Sequence, residues 1–193
     1  MYACQRHSLT ARLRQRLDNF AKDRRGVAAV EFAMIAAPFF FLLFGLIEVC
    51  MIFIMSAVLD YAVYETARPI RTGEAQRAAV DQDAFRNSVC SKVFGILDCN
   101  HRMHIDVRSV DRFSSTPTSS PMDSTGMIDP DQFIFNPGGP SEIVAVRVFY
   151  EWSLITPLIT KPLANMSGNR HLLQAAAVFR NEPFSSATGG VED

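Results

Sequence analysis

The sequence predicts an α+β fold: a long N-terminal transmembrane helix extends into an amphipathic stem, and a second helix and a small antiparallel β-sheet form the head. Three observations support this prediction. An apolar run near the N-terminus is long enough to cross a membrane, apolar residues then recur at helical spacing, and segments rich in β-branched and aromatic residues follow towards the C-terminus. The chain of 193 residues has room for one such span and one modest domain.

The apolar run contains no charged residue over Phe32–Ile47, which as a helix would rise about 24 Å, slightly less than a hydrocarbon core of ~30 Å. Extending the span back to Val27 completes the length and places Glu31 at the cytoplasmic edge. Extending it forward to Leu59 would instead bury Glu48, and a carboxylate at the membrane centre is costly. The predicted span therefore begins at Val27 and closes with Glu48 at its outer edge.

Charge is distributed asymmetrically along the chain. Seven basic residues and only two acidic ones precede Gly26, although the whole chain has a net charge of −1, so the remainder is acidic. Basic residues beside one end of a spanning helix keep that end in the cytoplasm, which predicts export of the C-terminal part. An acidic exported domain argues against nucleic acid as a partner, because phosphate binding needs clustered Lys and Arg.

These patterns divide the chain into four parts: a basic leader (1–26), the transmembrane helix (27–48), an amphipathic stem (49–72) and an exported α+β head (73–193). Pro38 is expected to kink or loosen the first helix, and Pro69 with Gly73 to end it. A second helix is predicted from Glu74 to about Phe94. Three predicted strands form the sheet: His104–Val110, Ile143–Trp152 and Leu172–Arg180.

Cysteine usage fits export of the head. Cys90 and Cys99 both fall in the exported part, where a disulfide between them is permitted, with two free thiols as the alternative. Cys50 lies on the apolar helix, where a free cysteine behaves as a small hydrophobic residue.

No constellation for catalysis, a cofactor or a metal is readable, and the sequence predicts a protein that is not an enzyme. His101 and His104 have a spacing that a metal could use, but they are interpreted as loop and strand histidines. Asp129 and Asp131 lack the glycine and glutamate spacing of a calcium-binding EF-hand loop. Three aspartates of the head are interpreted as ordinary surface charges: Asp98, Asp106 and Asp111.

The run RRGVAAVEFAMIAAPFFF resembles a type IV prepilin processing site. The resemblance implies cleavage after Gly26, so that Val27 becomes the new N-terminus and Glu31 the fifth mature residue. Glycine allows a peptidase close access to the backbone, and Arg24 and Arg25 hold the bond at the cytoplasmic leaflet. The leader is longer than is usual for the family.

The helix segment LFGLIEVCMIFIMSAVLDYAVYETARPIRTG and the ending AAAVFRNEPF are similar to TadE-type pseudopilins of the Flp/Tad pilus. The resemblance implies a minor pseudopilin of the inner membrane that takes part in assembling a pilus used in adhesion and biofilm formation. The implied partners are a prepilin peptidase, other pilins or pseudopilins, the inner-membrane assembly platform and the membrane itself. The head would face the periplasm or the cell exterior, and no cofactor is implied.

Two glutamates are the candidate assembly residues. Glu31 would pair with the new amine of a neighbouring subunit, since a charge in the membrane needs a partner, or it would reach the membrane surface as an interfacial residue. Glu48 would bond a partner helix in the assembled bundle or mark the outer edge of the membrane.

Two other function classes are left open by the sequence. One is an uncleaved single-pass anchor that presents a periplasmic binding domain, with the Ser/Pro-rich loop as its contact surface. The other is a membrane-tethered enzyme, which would need a convergent pocket. The spacing from Gly26 to Glu31 favours the pseudopilin over the anchor.

Overall fold

A computed structural model describes residues 26–99, 101–156 and 160–185. Its first element, α1, is a helix over Val27–Arg71, and it is long and apolar enough to cross a membrane. The chain divides into two compact units, residues 1–46 and 47–193. The predicted leader, with Arg24 and Arg25, lies outside the described residues except for Gly26.

Neither proline interrupts α1. Pro38 lies within the helix, and the helix passes Pro69 and ends at Arg71, before Gly73. A proline removes one backbone hydrogen bond of the helix, and this cost is offset near Pro69 by the burial of Ala67 and Ile70 in the core. The predicted span and stem are therefore one continuous element.

Gly73 allows the chain to turn after the helix. Its φ of 77° lies in the left-handed region, and a Cβ at this position would overlap the ring of Phe184. Gly95 has a similar φ of 69°, but a Cβ there would have nothing within 4 Å. The backbone conformation favours glycine at both positions. Only at Gly73 would an added side chain also clash with its surroundings.

We expect Gly73→Ala to lower the free energy of unfolding by more than Gly95→Ala does. Positive φ in a residue other than glycine costs of order 1–3 kcal/mol, and both variants carry that cost. Only Gly73→Ala must also displace Phe184. Urea unfolding of the two variants, followed by circular dichroism, measures the difference, and equal losses would show that Phe184 does not pack on Gly73.

The predicted second helix is two helices, which corrects the sequence-based expectation. Helix α2 covers Glu74–Arg77 and helix α3 covers Gln82–Lys92. The backbone turns between them at Ala79, whose φ is 48°. The Asp81 carboxylate then accepts a hydrogen bond from the Ala84 N–H at 2.8 Å and begins the new helix, as a side-chain cap does.

Three strands form one antiparallel sheet in the order β1–β2–β3: β1 is Met103–Val110, β2 is Ile143–Ser153 and β3 is Arg170–Arg180. A short helix, α4 (Thr160–Leu163), precedes β3. The first nine of the eleven residues of β2 are buried, as expected for a central strand. The α+β class and the three-stranded sheet predicted from the sequence are confirmed.

The stem part of α1 packs along the sheet. Near one end of the stem, Glu48 binds the backbone that follows β2, and at the other end the Glu182 N–H donates to the Arg71 carbonyl at 2.9 Å. The stem, α3 and the sheet together enclose the core, whose fully buried side chains include Leu59, Val63, Ile70, Val89, Val93, Ile105, Val107, Val146 and Val148. Burying each such side chain contributes roughly 1.5–3 kcal/mol.

Candidate functional site

The predicted processing site lies at the start of α1. Gly26 directly precedes the helix, and among the described residues, apart from its own chain neighbours, nothing lies within 4 Å of the place where a Cβ would stand. Val27, the first helical residue, is 50% exposed. Of the four residues predicted for processing, these two are the ones that the structure describes.

Glu31 lies one turn into the helix and is exposed. Within the described residues it has no hydrogen bond and no ion pair. Its neighbours on the helix are large exposed apolar side chains: Val27, Val30, Phe32, Met34 and Ile35. An unpaired carboxylate on an apolar surface is costly in a membrane, so this position is suited to a partner outside the described part of the chain.

Glu48 is placed quite differently, because it is only 6% exposed. Its Oε1 accepts a hydrogen bond from the Ile155 N–H at 2.5 Å, and its Oε2 accepts one from the Thr156 N–H at 2.7 Å. Hydrogen bonds to a charged acceptor are stronger than neutral ones. The carboxylate therefore connects the helix to the segment that follows β2 in the same chain.

A comparison with family models finds a match along the long helix. Residues 26–68 match the family of TadE-like proteins. The match begins at Gly26 and covers both glutamates, which confirms the resemblance seen in the sequence. Neither a curated protein nor a solved structure matches the chain.

The TadE-like segment coincides with α1 almost throughout. Its family indicates a protein associated with the Tad pilus, and its helix indicates a single-pass membrane protein. Nothing in the family points to an enzyme. The match ends before the head, so the contacts of the head are known from the structure alone.

The head contains a buried ion pair, and one member of it, Asp106, was expected from the sequence to be a surface charge. Asp106 is fully buried, and its carboxylate binds the guanidinium groups of Arg147, on the neighbouring strand, and of Arg108. Arg147 is 4% exposed and also donates to the carbonyls of Pro117 and Ser119 at 3.0 and 3.1 Å. The interpretation of Asp106 as a surface charge was wrong, because the register of β1 and β2 places it opposite Arg147.

The two histidines considered as metal ligands make different contacts. The His104 Nε2 lies 3.0 Å from Glu151 Oε1, and the His104 ring stacks on Phe133, whereas His101 is exposed beside Asp98. Among the residues that the structure describes, no group of three potential ligands could hold a metal ion. Asp129 caps a short helical turn by accepting from the Asp131 N–H at 3.1 Å.

The cysteines of the head form the pair considered from the sequence. Cys90, in α3, is disulfide-bonded to Cys99, with the two Cα atoms 6.0 Å apart. This bond joins α3 to the loop that leads into β1. Cys50 is a free, exposed thiol on the TadE-like helix.

Proposed function

We propose that the protein is a minor pseudopilin that takes part in assembling a Flp/Tad-type pilus used in adhesion and biofilm formation. The observation that carries the proposal is the combination of the family match over residues 26–68 with an exposed Glu31, near the start of an apolar helix, whose carboxylate has no partner among the described residues. The function is assembly, so no catalytic turnover is required.

In this proposal a prepilin peptidase cleaves after Gly26 and releases Val27 as a positively charged N-terminus. Glu31 then pairs with that amine on a neighbouring pilin or pseudopilin. The pairing is stronger within the membrane than in water, because a low dielectric increases the attraction and an unpaired charge is costly there. The exposed apolar surface around Glu31 supports this role, since it can contact lipid before assembly and neighbouring helices afterwards.

The remaining partners and the location follow from the same proposal. The helix waits in the inner membrane with its leader in the cytoplasm, where Arg24 and Arg25 support the orientation. The assembly platform and sibling pilins engage the helix, and the head faces the periplasm or the cell exterior. Glu48 has both oxygens bound within its own chain, so an added contact with a partner helix would have to share them.

Mass spectrometry of the mature N-terminus tests the proposal directly. Membranes are prepared with and without the candidate peptidase. We expect a chain that begins at Val27 only where the peptidase is present. A chain that still carries Arg24 and Arg25 in both samples would contradict processing and favour an uncleaved anchor with a periplasmic binding domain.

We expect Glu31→Ala to abolish or strongly reduce co-purification with sibling pilins while leaving folding unchanged. The physical reason is that the Glu31 carboxylate has no partner within the described residues, so its removal disturbs no contact there. Glu65→Ala, on the same helix, is the matched control and should retain co-purification. Normal assembly of the Glu31→Ala protein would disprove the pairing.

A further inference from the structure

Three large apolar side chains of the head are strongly exposed at loops. Phe94 is 76% exposed, Ile96 is 54% exposed and Ile155 is 82% exposed. The first two lie between α3 and β1, and Ile155 follows β2. Single exposed apolar residues are ordinary, but several large ones at one end of a domain indicate a contact surface.

Hydrogen bonds place these two loops at the same end of the sheet. The Asp98 N–H donates to the Tyr150 hydroxyl at 3.0 Å, and Tyr150 pairs with Met103, the first residue of β1. Ile155 lies two residues beyond Ser153, the last residue of β2. Since β1 begins where β2 ends, both loops emerge from one end of the sheet.

The backbone at Phe94 is held in an unfavourable conformation. Its φ is 55°, in the left-handed region that large side chains rarely adopt. Such strain persists only where the surrounding structure imposes it, and it is common where a side chain serves a purpose other than packing. At Phe94 it accompanies a ring that remains largely outside the core.

The hydrogen bonds of Glu48 attach this end of the sheet to a defined position along the helix. Its carboxylate binds the backbone of Ile155 and Thr156, and Glu48 is the residue that closes the predicted membrane span. Five and six residues further along the same helix, Phe53 and Ile54 are 70% and 52% exposed. Exposed apolar side chains on the helix therefore continue past Glu48, the residue to which the backbone of Ile155 is bound.

We propose that this end of the head is a second membrane contact, in which Phe94, Ile96 and Ile155 insert into the outer interface of the bilayer beside the helix. The occupant is phospholipid, because Glu48, which binds the backbone at Ile155, belongs to a helix that is long and apolar enough to cross a membrane. Apolar groups at such a surface enter the headgroup region by about 5–10 Å.

The arrangement of Glu48 suits this depth. A carboxylate and two irregular backbone N–H groups would all be costly near lipid if they were unpaired, and here each satisfies the other away from water. The contact anchors the head at a set tilt, in addition to any role of the helix in assembly.

The test uses a tryptophan as a depth probe in the full-length chain. The native chain has one tryptophan, Trp152, so Trp152→Phe provides a background without tryptophan. Ile155→Trp and Phe94→Trp are introduced separately, and each protein is reconstituted in two sets of phosphatidylcholine–phosphatidylglycerol vesicles. The acyl chains carry bromine close to the glycerol in one set, for the head probes, and deep in the chain in the other set, for a probe in the middle of the span. We expect the brominated lipid to quench the emission of both probes. We also expect both probes to emit at a shorter wavelength than a tryptophan that is exposed to water.

Two further probes complete the design. Phe113→Trp replaces an exposed residue beyond the opposite end of β1 and should keep its emission, while Phe39→Trp, within the predicted span, should lose it. If Ile155→Trp and Phe94→Trp behave like Phe113→Trp while Phe39→Trp is quenched, the lipid contact is wrong. If Phe39→Trp also keeps its emission, the span and the contact both fail.

This proposal can fail without affecting the proposed function. Unquenched head probes in a protein that is still cleaved after Gly26 would remove only the second membrane contact. Quenched head probes in a chain that is never cleaved would support the contact in an uncleaved anchor.

Discussion

Asp106→Ala is expected to lower the free energy of unfolding by about 3–5 kcal/mol, the usual cost of removing one partner of a buried ion pair. Asp106 Oδ2 accepts hydrogen bonds from Arg147 Nε at 2.9 Å and from Nη2 at 2.7 Å, and both residues are buried. The variant leaves the Arg147 guanidinium without its anion. Arg108 is less affected, because its side chain is 26% exposed and water can reach it.

Urea unfolding of the full-length chain in detergent, followed by circular dichroism, measures this loss. Asp111→Ala is the matched control, because Asp111 is exposed just beyond β1, and such surface changes usually stay within about 0.5 kcal/mol. Equal stability of the two variants would contradict the buried pair. Combining Asp106→Leu with Arg147→Met should recover much of the loss, since no buried charge then remains unpaired.

Glu48→Ala is expected to cost about 3 kcal/mol and to release the segment after β2. Each hydrogen bond to a charged group contributes roughly 1.5–3 kcal/mol, and removal of the carboxylate leaves the Ile155 and Thr156 N–H groups without their acceptor. Amide hydrogen exchange provides the direct readout. Exchange at positions 155 and 156 should accelerate strongly, while the amides in the middle of β2 should change only by the loss of global stability.

Glu31→Ala serves as the matched control for Glu48→Ala. Both variants remove a glutamate from α1, but Glu31 has no partner in the part of the chain that the structure describes. Its removal should leave the exchange at positions 155 and 156 unchanged. Similar exchange in both variants would show that Glu48 does not bind this segment in the folded protein.

The sequence alone was sufficient for the elements that depend on local pattern. The apolar run predicts α1 because a helix satisfies its own backbone hydrogen bonds and needs only apolar side chains to enter a membrane. The segment around Val146 predicts a central strand because β-branched and aromatic residues favour extended backbone. The helix segment from Leu43 to Gly73 carries a resemblance to TadE-type pseudopilins, and the family match over residues 26–68 confirms that resemblance.

The helix after the stem shows where local pattern is insufficient. The apolar residues from Glu74 to Phe94 fit one helical face, yet the chain turns at Ala79 and starts again at Asp81. An aspartate can lie inside a helix or cap its start, and the sequence alone does not distinguish the two positions. Packing of Ala75 and Phe85 in the common core selects the turn.

Tertiary structure alone decided the roles of the charged residues. In sequence, Glu31 and Glu48 are two carboxylates on one apolar helix, and Asp106 resembles other aspartates of the head. Asp106 is buried against a residue that lies 41 positions away in the chain, and Glu48 against one that lies 107 positions away. Glu31 has no such contact among the described residues and is exposed. The physical reason is that apolar periodicity is a local property of the chain, whereas the partner of a buried charge is chosen by the register of strands and the path of loops.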